Sequence, residues 1–507
     1  MYEHRNKEDL SRGVTKLKLL RQLSNNEMYQ LAMYTLDQYR GTSVSCRYEI
    51  PRHLVGVNAR PQLVNIVESA ISSTVLEHPI LQVGIADADS KKPTWVQLDS
   101  LDLNCHVTWR ILDPFSDFED SLKETTASQL DATYLEIDKR PGWRIVVLYQ
   151  DQTNFMEILF TWSHPHADGM SGKIFHDSLY QNFKTDTKQQ NLEGHTLKLP
   201  ESALSLPPPI EKVIKLPVDL SYALKTLWQE FRPPFFWRDP SLAHWAPIRI
   251  SPYKTQYRVF TVENHVLSKL LTACRKRKAT ITSLFHGLAL VSLASNLEEK
   301  TAPAFQSFTA VNLRRFMPSN PPNYQGLLPD RTMGNYVTLQ NHKFSPVTVA
   351  QIRSGLARTD MSKKLPVEVL DHMWSTATAV RAEIVQKLKI GVKNDHVGLM
   401  KFVGDWRVQM TNTAQRPRQC SWFVTNLGVL DAIPNSASDQ SVTWSIRRAQ
   451  FAVSAETTQA ALMISIMTVA EGRLCVTCSW QDCIFDTSFG EHVVADLERW
   501  AVQLGSD

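Results

Sequence analysis

The segment from residue 163 to residue 169 carries side chains suited to moving a proton. His164 is followed four residues later by Asp168 and then by Gly169, which gives the pattern HxxxDG. The apolar run over residues 155–162 directly before it predicts a buried strand. Because an imidazole titrates near pH 6.5, a histidine at a strand end can take a proton from an alcohol and return it to a leaving group. The pattern therefore predicts a general base held on a rigid element.

The same segment supports other interpretations. His166 and His176 are rival bases, and His164, His166 and Asp168 alternate along an extended segment, so they could share a face and bind a metal. A purely structural histidine also fits HxxxDG. No GxSxG, P-loop, GxGxxG or HExxH pattern offers competing chemistry. The residues alone leave these alternatives open.

Strands and helices alternate through the first 190 residues. After the motif, apolar residues recur at helical spacing from Ile174 to Phe183, which predicts a helix behind the glycine turn. Residues 191–250 change character, because prolines break any long element and aromatic side chains lie between them. We predict three parts: an N-terminal lobe over 1–190, a crossover over 191–250 that lies against the body, and a C-terminal lobe over 251–507. The fold class is α/β.

The N-terminal stretch from Leu17 to Tyr39 has helical periodicity with a basic start. This pattern predicts one amphipathic helix. Such a helix either packs on the first lobe or lies on the surface of the endoplasmic reticulum or of a lipid droplet.

Composition excludes several classes of protein. The chain of 507 residues has a net charge of +4, which argues against nucleic acid as the partner. It has no apolar run long enough to span a membrane and no secretory signal, so we expect a cytoplasmic protein with reduced cysteines. The CxxC pair Cys475 and Cys478 lies in a predicted strand, where the two sulfurs would point to opposite faces. No metal site is predicted there.

The HxxxDG motif resembles that of the CoA-dependent acyltransferase superfamily, which includes condensation domains and plant BAHD acyltransferases. Its fungal alcohol acetyltransferase branch is the most similar, since the plant DFGWG segment is absent and Ser163 stands where many relatives have a second histidine. Other segments that resemble the superfamily or this branch are spread over the chain in order: residues 23–29, 141–145, 311–315, 333–337, 425–428 and 479–482.

The resemblance implies two lobes similar to chloramphenicol acetyltransferase, with mixed sheets and an active-site tunnel between them. It makes His164 the general base and removes the metal interpretation. Asp168 would turn away from the substrate and pair with an arginine, for which Arg314 is the first candidate and Arg315 the second. Gly169 would let the backbone turn where a side chain would obstruct the tunnel.

Two further candidate sites are inferred from the residue types and their places in the chain. Thr425 and Asn426, with Gly428, are candidates for holding the oxyanion or the tunnel floor, although such a segment is also a good strand end. Four consecutive cations are candidates for the phosphates of CoA, although a charge run is often only a solvated face. They are Arg275, Lys276, Arg277 and Lys278.

We therefore expect an O-acyltransferase that moves an acetyl group from acetyl-CoA, as co-substrate, to a small apolar alcohol such as a fungal terpenoid or polyketide. No permanently bound cofactor is expected, and the protein is predicted to be a monomer. One alternative is a condensation-like enzyme that takes its acyl group from a carrier protein. Another is a non-catalytic protein that binds CoA or a metabolite.

Overall fold

The computed structural model describes residues 18–185, 191–231, 239–319, 321, 323–356, 364–431 and 443–506. The helices described are α1 Asn25–Thr35, α2 Arg60–Glu77, α3 Phe118–Asp131, α4 Gly169–Asn182, α5 Ile210–Val213, α6 Leu220–Phe231, α7 Asn264–Lys276, α8 Ile281–Asn296, α9 Pro346–Leu356, α10 Val367–Ile390, α11 His396–Leu399, α12 Trp406–Thr413 and α13 Thr487–Ser506. The strands described are β1 Lys18–Gln22, β2 Gly41–Glu49, β3 Val83–Ala86, β4 Thr94–Gln97, β5 Ser100–Asp102, β6 Val107–Leu112, β7 Trp143–Gln150, β8 Phe155–Ser163, β9 Leu192–Glu193, β10 Thr196–Lys198, β11 Thr255–Val262, β12 Phe305–Asn312, β13 Val337–Phe344, β14 Cys420–Leu430, β15 Ser445–Val453, β16 Ala460–Val469 and β17 Leu474–Gln481.

Two mixed sheets form the framework. The first has the strand order β15-β2-β8-β7-β6, in which only the β6–β7 pair is parallel. The second has the order β11-β17-β16-β14-β12-β13, with parallel pairs at β14–β16 and β12–β14. Strand β8, which ends at the HxxxDG motif, is the central strand of the first sheet.

The first sheet receives its edge strand from late in the chain. β15 pairs antiparallel with β2, so that Val453 lies opposite Thr42. Side chains of β17 in the second sheet also bond to β15, since Thr477 Oγ1 donates to the Phe451 carbonyl and Ser479 Oγ donates to the Val453 carbonyl. β15 therefore ties the two sheets together, and the boundaries at 190 and 250 stay a prediction.

The prediction of one helix from Leu17 to Tyr39 is wrong. β1 pairs antiparallel with β4, and α1 begins only after Ser24, whose side chain forms a reciprocal capping box with Glu27. Strand pairing outweighed the helical periodicity of the first residues. The apolar side chains of α1 pack against the core, with Leu31 and Met33 almost fully buried, and contact of this region with a membrane surface stays a prediction.

The described residues of the crossover include strands and helices. Its strand β10 pairs with β5 of the first lobe and with β9, and α5 packs through Ile210 against Leu313 and Tyr336. The aromatic residues Phe235 to Trp237 lie outside the described residues, so the idea that they line a cavity stays a prediction. None of the helices in the described ranges is long and apolar enough to cross a membrane.

Candidate active site

The HxxxDG motif lies where β8 ends and α4 begins. The loop is held tightly, because the Trp162 indole nitrogen donates to the Ala167 carbonyl at 2.7 Å and the Asp168 backbone nitrogen donates to the Gly334 carbonyl at 3.1 Å. Asp168 is the N-cap of α4, and its Oδ1 accepts from the Ser171 backbone nitrogen at 3.0 Å. This short polar residue explains why the helix starts at this point.

Asp168 forms a buried, bidentate ion pair with Arg314. Arg314 Nη1 lies 2.7 Å from Asp168 Oδ2 and Nη2 lies 3.0 Å from Oδ1, while both side chains are less than 5% exposed. The Tyr336 backbone nitrogen also donates to Oδ2, at 2.8 Å. The carboxylate thus faces the short helical turn after β12 and not His164. Arg315, the second candidate from the sequence, is exposed.

The charge of Asp168 is stabilised by its partners. Burial by itself raises the pKa of a carboxyl group, but the charge and hydrogen bonds of Arg314, with the bonds from Tyr336 and Ser171, lower the pKa of Asp168 below its ordinary value. An ionised carboxylate with every lone pair occupied is poorly suited to proton transfer. Its contacts instead fix the loop that carries His164.

His164 is half-buried directly after β8. Burial lowers the pKa of its imidazole to about 4, although the nearby Asp168 charge and a hydrogen bond to its own backbone carbonyl act in the opposite direction. The Tyr39 ring lies 5.4 Å from the imidazole, measured between ring centroids. The ring is therefore neutral at physiological pH, which is the form that can accept a proton.

The rival histidines have structural contacts. His166 Nε2 accepts from the Gly142 backbone nitrogen at 3.1 Å, and its ring packs edge-on against Trp95. His176 is fully buried, with one ring nitrogen 2.9 Å from the Tyr48 hydroxyl and the other 3.0 Å from the Val44 carbonyl. Both ring nitrogens of His176 are occupied. His166 Nδ1 has no partner among the described residues, but the His166 side chain is almost fully buried, so neither ring is open to a substrate.

Gly169 lies where a side chain would meet two neighbouring strands. Its φ angle is not positive, so the backbone turn does not need glycine. A Cβ at this position would lie 2.8 Å from Phe451 Cζ and 3.0 Å from Leu427 Cδ2. Phe451 is on β15 and Leu427 is on β14, so Gly169 allows the start of α4 to approach both sheets.

Residues 425–428 form a bulge in β14. The register with β16 shifts between Asn426 and Val429, and Gly428 has a left-handed φ of 72°. Asn426 Oδ1 accepts from the Gly428 backbone nitrogen at 2.8 Å, and its Nδ2 donates to Thr282 Oγ1 at 3.1 Å. Asn426 therefore links the bulge to the first turn of α8.

Thr425 differs from its neighbour. It lies on the same face of β14 as Phe423 and Leu427, which pack into the core cluster shared with the first lobe. Within the described parts of the chain, its hydroxyl has no hydrogen-bond partner.

The four predicted CoA-binding cations lie on the surface, where α7 ends and α8 is about to start. All four are exposed, and Arg277 is 3.8 Å from the Asp371 carboxylate with its guanidinium over the Trp374 ring. Thr280 caps the helix that follows, α8, whose first turn contacts Asn426. The first turn of α8 thus connects these four cations, residues 275–278, to the bulge in β14.

Sequence reasoning missed two residues that contact the site. Asn335 Nδ2 lies 3.0 Å from the His164 carbonyl, and Asn26 Nδ2 lies 3.1 Å from Asn335 Oδ1. Both stand inside segments that resemble the acyltransferase superfamily, 23–29 and 333–337, and this position in a shared motif was the available signal. Neither had been given a role.

Sequence comparison points to one family. A family model described as alcohol acetyltransferase matches residues 104–489. The chain is 26% identical over 457 residues to a probable alcohol acetyltransferase, FCK4, of Fusarium pseudograminearum, which covers 87% of both chains. It is 21% identical to a probable alcohol acetyltransferase, crmB, of Aspergillus fumigatus, covering 92% of this chain and 96% of that protein. The predicted resemblance is confirmed.

Solved structures share the fold. The TRI3 trichothecene 15-O-acetyltransferase of Fusarium sporotrichioides superposes with a TM-score of 0.68 at 12% identity, covering 96% of this chain and 94% of the other. The condensation domain of the monacolin K polyketide synthase MokA superposes with a TM-score of 0.55 at 12% identity, covering 97% and 99%. These similarities confirm the predicted two-lobed α/β fold.

Proposed function

Because the chain belongs to the alcohol acetyltransferase family, we propose that it moves an acetyl group from acetyl-CoA to the hydroxyl of a small apolar alcohol, with His164 as the general base. One observation supports this role above the others. His164 stands half-buried at the end of β8, whereas the rival rings of His166 and His176 are fully buried, and its imidazole is neutral at physiological pH because burial lowers its pKa to about 4. A neutral ring nitrogen is what proton removal from an alcohol requires.

The proposed reaction has two steps. His164 Nε2 accepts the hydroxyl proton while the alcohol oxygen bonds to the thioester carbonyl carbon, which gives a tetrahedral oxyanion. The carbon–sulfur bond then breaks, the ester is released, and the imidazolium returns the proton to the CoA thiolate. No covalent acyl-enzyme is needed, because the thioester is already activated.

Two other sites have proposed roles. The Thr425 hydroxyl, which has no partner among the described residues and lies on the inner face of β14, would donate to the oxyanion. The exposed tetrad, residues 275–278, would bind the phosphates of CoA at the surface. Asn426 and Gly428 would shape the tunnel floor through the bulge.

The acceptor is proposed to be a fungal secondary metabolite of the terpenoid or polyketide class. Support comes from the relatives, since the structural neighbour TRI3 is described as a trichothecene 15-O-acetyltransferase. The apolar side chains between the sheets, which include Phe308, Phe423 and Phe451, suit an apolar acceptor.

The test is to incubate the purified protein with acetyl-CoA and a panel of terpenoid, polyketide and simple alcohols. We expect free CoA thiol to appear together with a product heavier by one acetyl group. A parallel reaction with an acetylated carrier protein in place of acetyl-CoA separates the condensation-like alternative. Turnover with the carrier alone would contradict the proposal, and so would binding of acetyl-CoA without acetylation of any alcohol.

A further inference from the structure

The loop between β15 and β16 carries a carboxyl group without a partner. Residues 451–460 are buried except for Glu456 and Gln459, which are half-buried. Within the parts of the chain that the structure describes, the Glu456 carboxyl has no hydrogen bond and no ion pair. Burial raises its pKa to about 7, so protein surrounds the group although part of it stays accessible. The carboxyl therefore borders an internal space.

Hydrogen bonds from two directions hold the backbone at Glu456. The Thr457 backbone nitrogen donates to the Gln38 carbonyl at 3.0 Å. Arg418 Nη1 donates to the carbonyls of Glu456, at 3.1 Å, and Ala460, at 3.0 Å. The place of the carboxyl is thus set by the fold itself, as a binding site requires.

The surroundings of Glu456 extend to His164. Gln459 Nε2 donates to the Tyr29 hydroxyl, and the Tyr39 ring lies 5.4 Å from the His164 imidazole, measured between ring centroids. Burial raises the pKa of both tyrosine hydroxyls, and the charge of Glu456 raises it further. A charge that acts on both hydroxyls lies close to them. Tyr39 thus connects the surroundings of Glu456 with those of His164.

The loop lies at the opposite end of β14 from the bulge. The Cys420 backbone nitrogen, at the start of β14, donates to the Gln459 carbonyl at 3.2 Å, whereas the bulge begins at Asn426. Six residues of strand span about 20 Å. Acetyl-CoA is proposed to bind at the bulge end, through residues 275–278, which leaves the Glu456 end for the alcohol.

The charges around Glu456 favour a neutral ligand. Arg418 is fully buried, and in the described parts of the chain its guanidinium donates only to backbone carbonyls. Its charge lowers the pKa of Glu456 against the larger effect of burial, so an ammonium group would be a second cation at this place. A hydroxyl adds no charge, and the carboxyl offers it an acceptor oxygen in either protonation state.

We propose that Glu456 is a specificity-determining residue that accepts a hydrogen bond from a second hydroxyl of the acceptor, remote from the hydroxyl that is acetylated. The preferred acceptor is then an otherwise apolar diol and not a monoalcohol. The inference rests on the proposed function only in calling the bound alcohol the acceptor.

The test measures binding by isothermal titration calorimetry, which needs no acetyl transfer. The probes are matched pairs of terpenoid monoalcohols and diols that differ by one hydroxyl, with menthol and menthanediol among them. The wild type should bind at least one diol about 10-fold more tightly than its monoalcohol, because one hydrogen bond is added. Glu456→Leu should lose this preference and bind acetyl-CoA as the wild type does. Glu456→Gln keeps an acceptor oxygen and should keep the preference.

The matched control is Glu498→Leu, which makes the same substitution on an exposed glutamate of α13 and should leave the preference unchanged. The inference is overturned if the wild type binds no diol more tightly than its monoalcohol. It is also overturned if Glu456→Leu retains the preference. Selective binding of a diol that is never acetylated would support the role of Glu456 and contradict the proposed function, so the two failures are distinguishable.

Discussion

Asp168 and Arg314 join the two halves of the protein through a buried ion pair in which both oxygens and both terminal nitrogens take part. Asp168 stands at the start of α4, and Arg314 follows β12 of the other sheet. The arginine also donates from Nε to the Thr332 carbonyl and from Nη2 to the Gly334 carbonyl. The pair therefore fixes the segment 332–336 against the HxxxDG loop.

Breaking this pair should cost stability. Asp168→Ala or Arg314→Ala leaves an uncompensated buried charge, and each should lower the free energy of unfolding in urea by about 3–5 kcal/mol. The double variant should lose less than the sum of the two, because it leaves no stranded charge. Arg315→Ala, on the adjacent exposed arginine, is the control and should have little effect. Additive losses would show that the two residues are not coupled.

A methyl group at Gly169 should disturb the contact between α4 and both sheets. Gly169→Ala pushes a Cβ against Phe451 and Leu427, and overpacking of this kind lowers the free energy of unfolding by about 1–3 kcal/mol. Gly404→Ala serves as the control, since no atom lies within 4 Å of the Cβ it would add. Equal urea midpoints for the two variants would contradict the packing explanation.

Acid should inactivate the enzyme only at low pH. The neutral imidazole is the active form, so activity is lost as the pH falls through the pKa of His164, which burial lowers to about 4. We expect kcat/KM to be constant between about pH 6 and 8 and to fall only below about pH 5. A fall in kcat/KM centred near pH 6.5 would mean that His164 is not shielded from water in the way described.

Glu456 should make stability depend on pH near neutrality. Burial raises its pKa to about 7, against the opposing charge of Arg418. The folded protein then holds this proton at pH values where the unfolded chain has lost it, so the group lowers stability as the pH rises from about 4.5 to 7. Glu456→Gln removes this effect. The melting temperature of the variant minus that of the wild type should therefore increase from pH 5 to pH 8. Glu201→Gln, which makes the same substitution on an exposed residue, is the matched control.

Local patterns predicted the elements that carry the site. β8 is the buried strand that the apolar run predicts, α4 is the helix that the helical spacing predicts, and their junction lies at the HxxxDG motif. The start of α1 was also readable, since Ser24 and Glu27 have the spacing of a capping box, but the periodicity of the preceding residues obscured it.

Long-range contacts were not predictable in this way. β15 pairs with β2 some 400 residues earlier in the chain, and no periodicity encodes that choice of partner. The same holds for Asn26 and Asn335. Their contact depends on the packing of both lobes, and a single sequence contains only the residue types.

The most direct test of the central claim is the kcat of His164→Ala on an alcohol that the wild type acetylates. Loss of a general base should lower kcat by about 10²- to 10⁴-fold while acetyl-CoA still binds. His53→Ala, on an exposed histidine, is the matched control and should retain wild-type turnover. A His164→Ala variant that turns over as fast as the His53→Ala control would contradict the assignment of His164 as the base.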